Sequence, residues 1–153
     1  MATREISAAT TVDAPPSVVF AILADPRQHS RIDGSGSVGS VIEGPTRLTA
    51  KGNTFRVHMK LFGLPYTITN KVVEHETDRR IAWRHFGAHR WRYVLEPTDD
   101  GGTTVTETFD YTRYPDLGAK ILRLTGTLDR NRRGIEQTLV RLKQAAEADA
   151  AAR

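Results

Sequence analysis

Cysteine is absent from this chain of 153 residues. Its absence excludes disulfide frameworks, thiolate zinc sites, iron–sulfur clusters and cysteine nucleophiles. Long hydrophobic runs are missing as well: the longest apolar run near the N-terminus covers residues 18–24, which is too short to cross a bilayer. No basic segment leads directly into that run, as a secretory signal peptide would require. We therefore expect no membrane span and a soluble, cytoplasmic protein.

The chain also lacks a strong charge imbalance, because 22 Lys and Arg residues stand against 18 Asp and Glu residues, a net charge of +4. A pI near 9.7 permits an anionic partner without requiring one. Its length supports a single domain over residues 1–153, with a core that needs no covalent or metal staple. Internal repeats are absent, and the alanine-rich end predicts a frayed tail over about residues 146–153.

Helix signals occur near the N-terminus, after a weakly alternating segment at residues 6–12 that predicts a strand. Asp13 precedes Pro15 and Pro16, an arrangement typical of a helix cap followed by prolines in the first turn. The Asp25–Pro26 step ends this helix, because a residue before proline is pushed out of the helical region. A second short helix is predicted over residues 26–32.

Alternating apolar and polar residues then predict about six antiparallel strands between residues 38 and 111. From Pro115 onward the apolar period becomes helical and predicts one helix of roughly thirty residues, about 45 Å long. Three glycines are expected to interrupt and bend it: Gly118, Gly126 and Gly134. Strands segregated from helices indicate an α+β fold, and a sheet that curves around the long helix would leave an internal cavity.

Four short motifs and the terminal helix carry a family resemblance that covers nearly the whole chain. The motifs are residues 14–20 (APPSVVF), 24–26 (ADP), 80–83 (RIAW) and 102–106 (GTTVT). In this order the chain resembles the START-like superfamily, also called SRPBCC, and within it the bacterial polyketide cyclase/dehydrase-like branch. The resemblance implies a helix-grip fold: a curved antiparallel sheet of about seven strands around a long C-terminal helix, with two short helices after the first strand. It also implies a cavity for a lipid, polyketide, sterol or similar molecule.

The candidate ligand-binding residues are those that alternation turns toward the predicted cavity, together with leucines of the long helix. They are Phe55, Val57, Met59, Ile68, Asn70, Trp83, His85, Trp91, Tyr93, Glu107, Phe109, Tyr111, Leu124 and Leu128, and Asn131 is a further possibility. Aromatic walls with a few polar groups suit a planar or lipid-like ligand, although the same aromatics would also fill a dry core. The polar members are more informative, since a buried polar group needs a partner.

Glu107, His85 and Tyr93 are the candidate catalytic residues. Glu107 interrupts an apolar strand face, and burial would raise its pKa and suit it to acid or base chemistry, unless it pairs with an arginine or lies at the rim. His85 and His89 flank a turn, where they would either form a proton relay at the cavity mouth or be ordinary turn histidines, satisfied or exposed; the pattern favours the second interpretation. Two histidines without a third ligand are a weak zinc signal, so neither a metal nor a cofactor is expected. Tyr93 and Tyr111 would donate hydrogen bonds to a ligand carbonyl, or their hydroxyls would simply reach water at the sheet edge.

Two other features point toward nucleotides or nucleic acids. Residues 34–39 (GSGSVG) match a dinucleotide-binding fingerprint, but a predicted helix precedes them and a strand follows, which is the reverse of what that fingerprint needs. We predict a flexible loop near the cavity entrance that acts as a gate. Outward-facing basic residues would form a stripe for RNA, DNA or anionic lipid: Arg56, Lys60, Lys71, Arg84, Arg90 and Arg92, with Arg130, Arg132 and Arg133 on the helix. Interspersed acidic residues and the lack of interleaved aromatics argue against nucleic-acid binding.

Three functional hypotheses follow. In the first, the chain is a monomer or homodimer that binds a small hydrophobic molecule in its cavity, as a carrier, sensor or cyclase-like protein. In the second, it is a polyketide cyclase/dehydratase in which Glu107 or a histidine moves protons while a tyrosine polarises a carbonyl. In the third, which also comes from the resemblance, it is a toxin-like or stress protein that contacts a macromolecule through its basic face.

Overall fold

Seven antiparallel strands form one sheet in the computed structural model, which describes residues 3–153. The strands are β1 (Glu5–Val12), β2 (Val38–Glu43), β3 (Thr54–Leu61), β4 (Leu64–Glu76), β5 (Arg80–Arg84), β6 (Arg90–Pro97) and β7 (Thr103–Asp110). Strands β2 to β7 follow one another as a meander, and β1 lies outside β7, where Ile6 pairs with Phe109. The predicted seven-stranded antiparallel sheet is confirmed.

Four α-helices accompany the sheet within residues 3–153: α1 (Pro16–Leu23), α2 (His29–Ile32), α3 (Asp116–Leu124) and α4 (Thr127–Ala151). Helix α4 packs against β1, β7 and the two short helices. The core lies between these helices and the inner sheet face, where Phe20, Leu95 and Leu142 are almost fully buried. Burial of each such side chain stabilises the fold by about 1.5–3 kcal/mol. The α+β helix-grip architecture predicted from the sequence is therefore confirmed.

The start of α1 differs from the prediction. Pro15 is the N-cap residue, and no side chain caps the helix. The Asp13 side chain does not cap α1; the Asp13 backbone N–H donates to Glu147 Oε1 at 2.9 Å and so ties the chain to α4. Asp25 is the aspartate that caps, because its Oδ1 accepts from Arg27 N at 3.0 Å at the start of a 3-10 turn.

The C-terminal helix is broken, contrary to the prediction of a single helix. Gly126 has φ +75°, a left-handed conformation that glycine adopts without steric cost. Thr125 Oγ1 donates to Ile121 O at 2.9 Å and closes the end of α3. The break divides the predicted helix into α3, which ends at Leu124, and α4, which begins at Thr127. At the other end, α4 continues to Ala151 with Ala146 buried, and fraying of about residues 146–153 stays a prediction.

Candidate functional site

A cavity of about 430 Å³ lies between the inner face of the sheet and α4. Eleven of the fourteen predicted ligand-binding residues line it, because strand alternation turns them to this face. They are Phe55, Val57, Met59, Ile68, Asn70, Trp83, His85, Trp91, Tyr93, Glu107 and Phe109. Asn131 of α4 also lines the cavity. The period-two pattern of the strands therefore predicted correctly which sheet residues line the cavity.

Three predicted residues lie elsewhere. Leu124 is 76% exposed, because the break at Gly126 changes the helical phase on which its prediction depended. Leu128 is partly buried and packs against the core, outside the cavity lining. Tyr111 is buried and stacks on Phe109 with ring centroids 5.8 Å apart. It follows the last residue of β7, so strand alternation does not apply to it.

Several cavity residues were missed because they lie in loops or very short helices. His29 of α2 stacks on Trp83 with ring centroids 4.7 Å apart, and Asp33 follows the same helix. A helix of four residues is too short to show which face is buried. Tyr114, in the loop before α3, lines the cavity and its hydroxyl bonds to His89 Nδ1 at 3.0 Å. The Tyr114–Pro115 boundary gave no sign of this contact.

Glu107 and Tyr93 form a buried pair at the cavity wall. They are paired residues of β7 and β6, and the Tyr93 hydroxyl donates to Glu107 Oε1 at 2.8 Å. Burial raises the pKa of Glu107 to about 8; the Tyr93 hydrogen bond lowers it and the nearby Asp33 charge adds to the rise. The carboxyl group is thus mostly protonated at neutral pH. The sequence left open an arginine partner for Glu107. The structure instead has Tyr93 as its hydrogen-bond partner.

His85 and His89 lie together on either side of the β5–β6 turn, with ring centroids 4.8 Å apart. Burial lowers the pKa of both rings to about 4, and the charge of His89 contributes to the lowering at His85. Both imidazoles are therefore neutral at pH 7. Within residues 3–153, His85 Nδ1 and Glu107 Oε2 are buried without a hydrogen-bond partner. The cavity thus presents two unused polar atoms in an aromatic lining.

The glycine-rich loop connects α2 to β2, an order that no dinucleotide-binding unit has. Gly34 N–H donates to Thr138 Oγ1 at 2.9 Å, and a Cβ at Gly34 would overlap the backbone of Thr138 and Gln137. Asp33 accepts from Ser35 N and Val38 N, both at 3.0 Å. The Gly34 bond ties the loop to α4, and the Asp33 bonds brace the loop internally. Movement of the loop as a gate stays a prediction.

The outer sheet face is less basic than the sequence suggested. Arg92 bonds to Glu74 at 2.8 Å and to Asp110 at 2.9 Å, and Arg90 bonds to Glu74 at 3.2 Å. Two of the six outward basic residues are thus neutralised by carboxylates. In the part of the chain that the structure describes, no cluster of three metal-ligating side chains occurs. Over the same residues, no helix is both long and apolar enough to cross a membrane.

A family model described as "Polyketide cyclase / dehydrase and lipid transport" matches residues 3–147. The chain belongs to this family. It is 42% identical over 139 residues to the uncharacterized protein Rv0088 of Mycobacterium tuberculosis, a match that covers 90% of this chain and 62% of that protein. The chain therefore spans less than two thirds of the length of this relative.

Solved structures share the fold at low sequence identity. The crystal structure of protein NE0264 from Nitrosomonas europaea is 16% identical, with 99% of each chain covered and a TM-score of 0.73. The crystal structure of TTHA0849 from Thermus thermophilus is 21% identical, covering 95% of this chain and 99% of that one, with a TM-score of 0.66. At this identity, the similarity establishes the helix-grip fold alone.

Proposed function

We propose that the chain binds a small amphipathic molecule, with an apolar body and one polar group, inside the cavity. The observation that carries this proposal is a pair of buried polar atoms in the aromatic lining of the cavity, Glu107 Oε2 and His85 Nδ1. Neither atom has a hydrogen-bond partner within residues 3–153. Such atoms cost free energy, and a ligand that supplies their partners removes that cost. The family description, which includes lipid transport, supports the same proposal.

The polar group of the ligand is expected to accept a hydrogen bond. Protonated Glu107 has a hydroxyl to donate, whereas the Tyr93 hydroxyl is already bound to Glu107 Oε1. A ligand carbonyl or hydroxyl oxygen fits this requirement. The cavity volume of about 430 Å³ also lies within the range of small-molecule sites, about 300–1,000 Å³.

The test uses tryptophan fluorescence, because the only two tryptophans of the chain, Trp83 and Trp91, both line the cavity. The probe anilinonaphthalene sulfonate should accept energy from them when it enters. Ile68→Phe narrows the cavity and should weaken probe binding, whereas Ile42→Phe adds the same bulk on an exposed position of β2 and should not. Native mass spectrometry of the purified chain would reveal a co-purified ligand. No probe binding and no retained molecule would refute the proposal.

A second candidate is the cyclase/dehydratase activity, which the pKa of Glu107 favours. A carboxyl group with a pKa of about 8 can deliver a proton near neutral pH and take it back. Neutral His85 is able to accept a proton from the same ligand. Glu107→Gln should abolish turnover of a poly-β-ketone while leaving probe binding intact. Unchanged turnover would remove Glu107 from the mechanism.

A further inference from the structure

Most of the large apolar side chains that the described residues expose are gathered in three neighbouring segments. Among them, Phe62 is 83% exposed and Leu124 is 76% exposed. The set comprises Leu61, Phe62 and Leu64 in the β3–β4 hairpin, Phe86 in the β5–β6 turn, and Leu117, Ile121 and Leu124 on α3. Only Ile42 and Val140 are exposed elsewhere in residues 3–153. Scattered single apolar residues need no explanation, whereas a concentration of this kind marks an interaction site.

The sheet topology brings these segments to one end of the molecule. In an antiparallel meander, alternate turns fall at the same edge, so the β3–β4 and β5–β6 turns lie together. Strand β7 runs toward this edge and leaves it for α3. The exposed residues Leu61, Phe86 and Arg130 also line the cavity, so this end contains its mouth.

Helix α3 has two apolar faces. Leu122 lines the cavity and Ala119 is fully buried, which accounts for the inner face. Leu117, Ile121 and Leu124 recur at i, i+4 and i+7 and form a stripe on the solvent side. The inner face thus packs against the rest of the fold. The outer stripe has no partner among residues 3–153.

Positive charge is concentrated in the same region. Residues 113–133 contain six basic and two acidic side chains, a net +4 that equals the net charge of the whole chain. The guanidinium of Arg130 lies over the Phe62 ring, 5.8 Å from its centroid, so charge and apolar surface meet at the mouth. Lys120 and Arg123 flank the stripe on α3 and are exposed.

We propose that this mouth surface, formed by the seven apolar residues with Lys120, Arg123 and Arg130, docks on an anionic lipid bilayer. The apolar residues would enter the interface while the cations contact lipid headgroups. The cavity would then open onto the bilayer, which lets an apolar molecule pass between them without crossing water. A second copy of the chain is a poorer occupant, because two such surfaces would bring like charges face to face.

Vesicle co-sedimentation of the full chain tests the proposal. Vesicles of phosphatidylcholine and phosphatidylglycerol in equal parts should bind the chain, and vesicles of phosphatidylcholine alone should bind it much less. Removing Lys120 and Arg123 together, as Lys120→Gln with Arg123→Gln, should weaken binding roughly 25-fold, about fivefold for each charge. The matched control removes two exposed arginines in the connections at the opposite ends of the strands, Arg47→Gln with Arg79→Gln. This control should weaken vesicle binding far less.

The apolar contribution has its own pair of variants. Phe62→Asn with Leu124→Ser should weaken binding roughly tenfold or more, since each large side chain contributes through its buried area. Asparagine also suits position 62, where φ is +51°. Val140→Ser with Ile42→Ser is the control outside the mouth surface. Circular dichroism checks that each variant folds.

The outcomes separate clearly. Absence of binding to mixed vesicles, or equal losses in the mouth and control variants, would overturn the proposal. So would a dimer in sedimentation equilibrium that Phe62→Asn dissociates, because a second copy would then be the occupant. Docking does not require a filled cavity. The vesicle assay therefore reports docking and the energy-transfer assay on the same samples reports ligand binding, so that failure of one can be told from failure of the other.

Discussion

Replacement of Glu107 by glutamine should change the pH dependence of stability in a defined direction. Burial raises the pKa of Glu107 from the ordinary 4.5 to about 8, so between these pH values the folded chain keeps a proton that the unfolded chain has released. The folded state is favoured fully below about pH 4.5, and stability falls as the pH rises toward 8. Glutamine removes this titration, and its amide oxygen can still accept the hydrogen bond from Tyr93.

The magnitude follows from the pKa difference. Each tenfold change in proton affinity is worth about 1.36 kcal/mol, so an ionised Glu107 costs the folded state up to about 5 kcal/mol. Between about pH 5 and about pH 9, the free energy of unfolding of Glu107→Gln should therefore rise by about 4 kcal/mol relative to the original chain. The difference at the low-pH end reflects only the exchange of carboxyl for amide.

Urea denaturation at a series of pH values measures this difference, because the other titrating groups are common to both proteins. Glu96→Gln, at an exposed position of β6, is the matched control and should give a curve parallel to that of the original chain. A difference between Glu107→Gln and the original chain that stays constant with pH would refute the reasoning. In that case the carboxyl group would be hydrated in the folded protein.

Four further predictions concern the cavity wall, the loop beside it and helix α4. Tyr93→Phe removes the hydrogen bond that lowers the pKa of Glu107, so carboxyl NMR should find that pKa higher, and stability should fall by about 1–3 kcal/mol. Burial lowers the pKa of His89 to about 4, so the stability that neutral His89 contributes is lost as the pH falls from 6.5 to 4. Over that range the free energy of unfolding of His89→Phe, measured by acid unfolding, should fall by up to about 3 kcal/mol less than that of the original chain. Gly34→Ala should destabilise by about 1–3 kcal/mol in urea, because its methyl group meets the backbone of α4. Gly134→Ala, whose nearest contact is an ordinary 3.6 Å, should stabilise by about 0.4–1 kcal/mol; the same sign for both glycines would contradict this account.

Strands such as β3 were predictable because they have one face in the core and one in solvent. Residues 53–62 show this directly: Phe55 and Val57 are buried, and Arg56 and His58 are exposed. The order of strands and helices, with the family motifs, was then enough to specify the helix-grip fold. The inward sheet residues of the cavity followed from the same alternation.

The parts that escaped prediction depend on contacts between distant segments or on a single backbone conformation. Helical periodicity continues across Gly126, and only its left-handed φ ends α3 and leaves Leu124 exposed. The stacking of His29 on Trp83 joins residues that are far apart in the chain, and no local pattern records it. The hydrogen-bond partner of Glu107 could not be predicted for the same reason. It is the register between β6 and β7 that places Tyr93 opposite Glu107.

The pairing of β1 with β7 also affects how the chain folds as it is synthesised. Glu5 lies opposite Asp110, and Val12 lies opposite Thr103, so β1 has its partner roughly a hundred residues later in the chain. At ribosomal speeds of about 5–20 residues per second, β1 waits about 5 to 20 seconds for β7 to emerge. During that interval the apolar side chains of Ile6 and Val12 are uncovered. A nascent chain of this protein is therefore expected to engage chaperones through β1.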